Sequence, residues 1–265
     1  MRILLEPKRH IYTDNKGQVY KPVSSVIAQY KHPFDPYKKA ANGKTLLQNY
    51  VIKNGQTEQY WLAKWAEKTA WACEKGSAFH DLKEMVVNGR GIHKAGSIEM
   101  PVQNVNKLWQ LPNHEGNFEL LWPGVYAELC VWNYRYRIAG TADVITIYPN
   151  RTFDIDDYKT NGEFKTEAFK GQPMKYPCTN LPDCHLGHYT LQLSLYAWLL
   201  SQFGLKPNKL RLHHYDIPDK DVEGIVKHGI LPGIEPTIYE VPYVEREVYL
   251  IMQERIIELK KLKRK

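Results

Sequence analysis

Cysteine is scarce, four in 265 residues, too few for the disulfide framework of a small secreted domain. The expected compartment is therefore a reducing, cytoplasmic one. Long apolar runs are missing as well. None approaches the roughly 20 residues of a membrane span, so no membrane partner is expected. The opening "MRILLEPKRHIYTD" offers only "ILL", too short for the apolar core of a signal peptide. No repeat, low-complexity tract or long Gly/Ser/Pro linker divides the chain, and residues 1–265 read as a single domain.

What is present is an ordinary globular composition, 43% hydrophobic and 25% charged, with a net charge of +7. That excess points to an anionic partner, nucleic acid before membrane surface.

The element pattern predicts an α/β (α+β) fold around one mixed sheet flanked by helices. "RILLE" and "RHIYTD" read as strands, with the "DNKG" turn leading into "QVYKPV". Ser24 or Ser25 is expected to cap a short helix, and Asp35-Pro36 to open another. Together these form a small β/helical extension over about 1–50. Helical spacing runs from Thr57 to about Val87, with a break and new cap expected at Gly76-Ser77. Residues 88–118 read as an insertion or loop with a short helix near Val105–Trp109. "YAELCVWN", "YRYRIAG", "ADVITIY" and "RTFDIDDYKT" are expected as successive strands. A proline-containing loop then precedes the helix "HYTLQLSLYAWLLSQFG". The strands "KLRLHHYDI" and "PTIYEVPY" and a C-terminal helix complete the pattern.

The chemistry concentrates in the hairpin "GTADVITIYPNRTFDIDDYKT". Residues two apart on a strand share a face, so Asp157 and Lys159 project together. Pairing through the "PNR" turn brings Asp143 near Asp157. Converging carboxylates repel unless a cation lies between them, and Mg²⁺ or Mn²⁺, one ion or two, suits such an oxygen-rich site. Asp154 and Asp156 fall on the opposite face, as salt-bridge or solvent residues. Glu128 on the preceding strand is a candidate third acid. His80, just inside a predicted helix, is a candidate fourth ligand. Gln192 and Tyr196, four residues apart, form a polar row beside the apolar face of their helix and could contact a phosphate or base edge.

In this order, "GSAFH", Glu128, "GTAD", "DYKT" and "QLSLY" resemble the RecB-like branch of the PD-(D/E)XK nuclease superfamily, over about residues 76–200. The resemblance implies a restriction-endonuclease-like fold and metal-dependent hydrolysis of DNA in phage or bacterial recombination, repair or replication. It implies His80, Glu128, Asp143, Asp157 and the Tyr158 carbonyl as metal ligands. Lys159 would position or activate the attacking water, and Gln192 and Tyr196 would contact DNA or shape the site. Some relatives carry an iron–sulfur cluster held by one cysteine before the His motif and three after the Q-x-x-x-Y helix. Here no cysteine follows Tyr196, so none is expected. Cys178, Cys184 and His188 have no standard zinc spacing.

The leading expectation is a DNA exonuclease acting on ends or single-stranded regions. An endonuclease of the same superfamily on DNA or RNA stands beside it, as does a noncatalytic nucleic-acid-binding protein on a nuclease scaffold. "WNYRYR" and "YKHPFDPYKK", where aromatic and basic residues alternate, suit single strands, and "KKLKRK" adds nonspecific phosphate attraction.

Overall fold

The computed structural model describes residues 3–6, 11–95, 98–103, 121–231 and 233–262. The chain opens with a meander of β1 (Ile3–Glu6), β2 (Ile11–Asp14) and β3 (Val19–Pro22). The centre of the sheet is a three-stranded antiparallel unit of β6 (Gly124–Asn133), β7 (Ile138–Ile147) and β8 (Thr152–Lys159). β9 (Lys206–His214) then lies parallel to β8, and β10 (Thr237–Val241) antiparallel to β9. The result is an eight-stranded mixed sheet in the order β1-β2-β3-β7-β8-β9-β10, with β6 also paired to β7. Helices flank it, so the expected α+β architecture stands.

β7 is the axis of this sheet. One edge pairs with β6 along its whole length. The other edge is shared: β3 runs parallel to its first residues, Ile138 and Ala139, and β8 antiparallel to its last four, Val144–Ile147. Between the two partners the sheet forks. The N-terminal meander is therefore an extension in sequence but part of the central sheet in space.

α1 (Val23–Ala28), α4 (His185–Ser201) and α6 (Glu245–Leu262) pack together over the main core. α4 is buried almost all round, including Leu191, Leu195, Leu199 and Tyr196, as expected of a helix enclosed by sheet and helices. α2 (Leu46–Asn54) precedes α3 (Glu58–Asn88), whose C-terminal half packs against α5 (Asp219–His228). α5 lies in a stretch for which the sequence reading predicted no element.

Several local expectations are corrected. α1 begins at Val23 with Pro22 at its cap, and Ser24 and Ser25 lie inside it. The buried triplet Val23, Val26 and Ile27 sets the start, not a hydroxyl cap. Asp35 caps no helix; its Oδ1 accepts the Tyr37 N–H at 2.9 Å, closing a turn. The helix start lies ten residues on, where Thr45 and Gln48 make a reciprocal capping box. α3 is one continuous 31-residue helix with no break at Gly76-Ser77. Interior glycine costs only about 1 kcal/mol in a helix, so the helix runs through it, and an added Cβ there would lie 3.6 Å from the Thr160 hydroxyl oxygen.

"YRYR" is a turn, and "IAGTADVITI" is one strand. Gly140 serves packing: an added Cβ would lie 2.6 Å from Tyr196 Cε1. The start of the 88–118 stretch is a hairpin of β4 (Ile92–Ala95) and β5 (Ile98–Pro101), with Val102 bridging to Val125. The helix expected near Val105–Trp109 lies outside the described residues, as do the last three residues of "KKLKRK".

Asp183 ties the 163–184 loop to two other segments. It accepts from the His32 backbone N–H at 2.9 Å and lies within hydrogen-bond distance of the His188 and His32 rings. Burial pushes its carboxyl pKa up, but the hydrogen bonds from His188 and His32 outweigh this and hold it below the usual value. A depressed carboxylate pKa gives stability that is complete above the unfolded value of about 3.9 and is lost as pH falls through the lower folded value. Asp183→Asn is therefore expected to lower the thermal midpoint by a constant amount above about pH 5. That gap should close below about pH 4. Melting curves of both proteins from pH 3 to 8 test this; a gap that widens in acid would refute it.

Candidate metal centre

The register of the central strands creates the site. β6 and β7 pair Ala127 with Val144 and Leu129 with Ala142, which sets Glu128 opposite Asp143. β7 and β8 pair Val144 with Asp156, and the next position in the same register sets Asp143 opposite Asp157. Three carboxylates thus stand in one row across three strands, where β8 leaves β7. Glu128 sits in the left-handed region at φ 51°. Such a conformation costs a non-glycine residue on the order of 1–3 kcal/mol, and this kind of strain clusters at functional sites.

α3 supplies the fourth group. His80 Nδ1 lies 3.2 Å from Asp143 Oδ1 and 3.9 Å from Glu128 Oε1. Ligand atoms of His80, Glu128 and Asp143 all lie within 4.8 Å of one another. Asp143 Oδ2 also accepts the Tyr158 N–H at 2.6 Å, which locks the carboxylate to β8. Asp157 lies outside this trio and forms an ion pair with Lys159. Among the described residues, its Oδ1 is buried without a hydrogen-bond partner. The Lys159 ammonium sits 4.6 Å from the centre of the Tyr189 ring.

The electrostatics follow from this crowding. Burial disfavours the His80 cation, but Asp143 and Glu128 overcome it and raise its pKa to about 10. Burial alone would raise the Asp143 pKa; His80, Lys159 and the Tyr158 N–H bring it below the ordinary carboxylate value. Glu128 is pushed up by burial and by Asp143. Burial raises Asp157 to about 6, with Asp143 adding to the shift and Lys159 opposing it. The imidazolium thus occupies the position of positive charge among three acids.

One imidazole and carboxylates, with no thiolate, form a donor set suited to a divalent cation. The orphaned Asp157 oxygen adds a further unsatisfied acceptor next to it. The trio fits a metal ion without selecting which one.

A cavity of about 570 Å³ opens over the trio, and Lys159, Gln192 and Tyr196 also line it. The Gln192 amide donates to the Tyr196 hydroxyl at 3.2 Å, so both reach the site's wall as one polar unit. Asp154 and Asp156 lie away from it, as their strand parity required. Asp156 is held by Arg211 at 2.6 and 2.9 Å and by His213 at 2.7 Å, and Asp154 by Asn208 at 2.7 Å. Cys178 and Cys184 are buried free thiols, and the His188 ring is engaged by Asp183.

Sequence reasoning missed the opposite wall. Tyr12, bonded to Thr141 at 3.1 Å, closes the cavity from the N-terminal meander. The parallel β3–β7 contact and the packing of Tyr12 and Tyr20 with Trp132 bring that segment there, and no motif marks it. A second cleft of about 820 Å³ meets the first at His80 and Lys159 and is walled by Trp65, Lys68, Lys165 and Tyr189.

Among the described residues, no helix is long and apolar enough to cross a membrane. No family model matches the chain, and no curated protein matches it.

Proposed function

We propose that this chain is a metal-dependent nuclease of the RecB-like PD-(D/E)XK type, and within that class a DNA exonuclease. One observation carries the reading: Glu128, Asp143 and Asp157 form a row across adjacent strands, with His80 against it and Lys159 two residues beyond Asp157. A solvent-facing strand with ordinary charge pairs would not bury Asp143 and Asp157 to 7% and 1% exposure. The motif order in the sequence supports the same assignment.

His80, Glu128 and Asp143 would hold the ion, with Asp157 beside them, and Mg²⁺ or Mn²⁺ is the proposed species. When bound, the ion would acidify water and neutralise charge on a phosphodiester. Asp143 acts as the hinge of the set, with one oxygen toward His80 and the other fixed by the Tyr158 N–H. Lys159 brings a positive charge to the junction of the two clefts, where it can orient a water and favour developing negative charge. Gln192 and Tyr196 offer an amide and a hydroxyl to a phosphate oxygen. The surrounding β strands keep these groups in place before substrate arrives.

The test is digestion of matched linear and covalently closed circular DNA with Mg²⁺ or Mn²⁺, beside EDTA and Lys159→Ala. Loss of the linear form alone, abolished by EDTA and reduced at least about 100-fold by the substitution, is expected. Cutting of the circle would replace the exonuclease reading with an endonuclease. DNA binding without any cutting would overturn the enzyme assignment.

A further inference from the structure

α3 is two helices in function, though one in backbone. Its buried residues are Lys75, Phe79 and Val87, all in the C-terminal half; from Glu58 to Glu74 nothing is buried. Hydrophobic burial therefore does not explain what this N-terminal half carries: Tyr60, Trp61, Trp65 and Trp71. Tyr60, Trp61 and Trp65 meet their neighbours edge to face. Tyr50 lies 4.9 Å from Trp61 and 5.3 Å from Trp65, and Phe34 lies 5.9 Å from Trp65. The cluster keeps open faces, with Phe34 72% and Tyr50 39% exposed, while Trp61 and Trp65 are half-buried.

The charge around the rings is one-sided. Residues 31–73 hold seven lysines against three acidic residues. A protein-docking face is depleted in lysine at its core, whereas a face for single-stranded nucleic acid combines stacking rings with cations that follow the phosphates. The cluster also leads somewhere. Trp65 and Lys68 line the second cleft together with His80 and Lys159, which also line the first cavity. Along α3, Trp65 and His80 are separated by about 22 Å at 1.5 Å per residue. That is the length of about six stacked nucleotides at ~3.4 Å each.

We infer that the N-terminal half of α3, with α2 and Phe34, is a stacking platform for single-stranded DNA that feeds the strand into the cleft of Trp65, Lys68 and Tyr189 toward Lys159. Identifying the polymer as DNA rests on the nuclease reading; the stacking surface rests on its own rings and charges. A duplex keeps its bases stacked internally and offers these rings no free base face, so the platform selects single strands or frayed ends.

The test uses the full chain in EDTA, where no cutting occurs, and fluorescence anisotropy of labelled oligothymidylate and of a duplex of equal length. Phe34→Ala with Trp65→Ala is expected to weaken oligothymidylate binding at least 10-fold and duplex binding less than about 2-fold, within the range that base–aromatic stacking supports. Trp65→Phe should restore most of the loss, which a merely unfolded variant would not do. Lys68→Gln should leave that preference intact and reduce the salt slope by about one. Equal losses for both ligands, or none, would overturn the inference. So would concentration-dependent self-association of the wild type that the two alanines abolish with binding unchanged, since the occupant would then be a second copy. Cleavage by the wild type with unchanged binding by the alanine variant would remove the platform and leave the nuclease standing. Ring-dependent binding without cleavage would do the reverse.

Discussion

Asp143→Asn is expected to abolish metal-dependent stabilisation and cleavage together while leaving the fold intact. Asparagine keeps the volume and can still accept the Tyr158 N–H that Asp143 Oδ2 accepts at 2.6 Å. What it removes is the charge at the centre of the carboxylate row and the oxygen 3.2 Å from His80. Mn²⁺ at about 100 times its dissociation constant should stabilise the wild type by about 2.7 kcal/mol. For a chain of this size that is roughly 5–10 °C in thermal midpoint, at about 2–4 °C per kcal/mol. In Asp143→Asn that rise should vanish, and cleavage of linear DNA should fall by about 10³-fold or more, at or beyond the scale of losing one preorganised electrostatic group. Scanning calorimetry with and without Mn²⁺, beside a cleavage time course, reads both. A variant that keeps the full Mn²⁺ shift would show that the ion binds elsewhere, and the centre described above would be wrong.

Gly140→Ala should damage the site from behind. A Cβ there would lie 2.6 Å from Tyr196 Cε1 and 3.0 Å from Val23 Cγ2. Both neighbours are buried, at 5% and 1% exposure, so Val23 has no room to yield and the Tyr196 ring can yield only toward the cavity it lines. Overpacking of this kind costs roughly 1–3 kcal/mol, a loss of about 2–12 °C in midpoint. The route of least resistance moves the Tyr196 ring toward the cavity it lines with His80 and Asp143, so activity should fall further than stability. Tyr196→Ala is itself costly, but it removes the clashing ring. The double variant should therefore be less destabilised than the two single losses combined, by about 1 kcal/mol or more. Simple additivity would mean that Gly140 matters for another reason, and a neutral Gly140→Ala would remove the packing argument altogether.

The hairpin chemistry was legible because strand geometry is local. A period of two places Asp157 and Lys159 on one face and Asp154 and Asp156 on the other, and both placements are found. Convergence of Asp143 on Asp157 followed from the short "PNR" turn. Glycine misled twice, at Gly76 and at Gly140. A glycine signals a break in sequence, yet Gly76 sits inside a continuous helix beside Thr160 with room for a Cβ, and Gly140 sits inside a strand where Tyr196 leaves no room for one. The helical spacing of Trp61 and Trp65 is found, and both rings are half-buried against Tyr50, while nothing from Glu58 to Glu74 is fully buried, because periodicity reports a shared face without saying what covers it.

By itself the sequence determined the element types of the central strands and of α4, the parity of every charged residue on β8, and the candidates His80, Glu128, Asp143 and Lys159. Element type and parity are matters of spacing within one strand or helix, where covalent geometry sets the answer, whereas His80, Glu128 and Lys159 rest on the order of the motifs along the chain. Only the tertiary structure decided that His80 comes within 3.2 Å of Asp143. It alone placed Glu128 in a left-handed kink opposite Asp143, made the N-terminal meander a wall of the cavity, and joined two clefts at Lys159. The fork where β7 gives up β3 and takes β8 brings the N-terminal meander and the Asp143–Asp157 pair onto one sheet. It depends on contacts between segments more than a hundred residues apart, which no local pattern encodes.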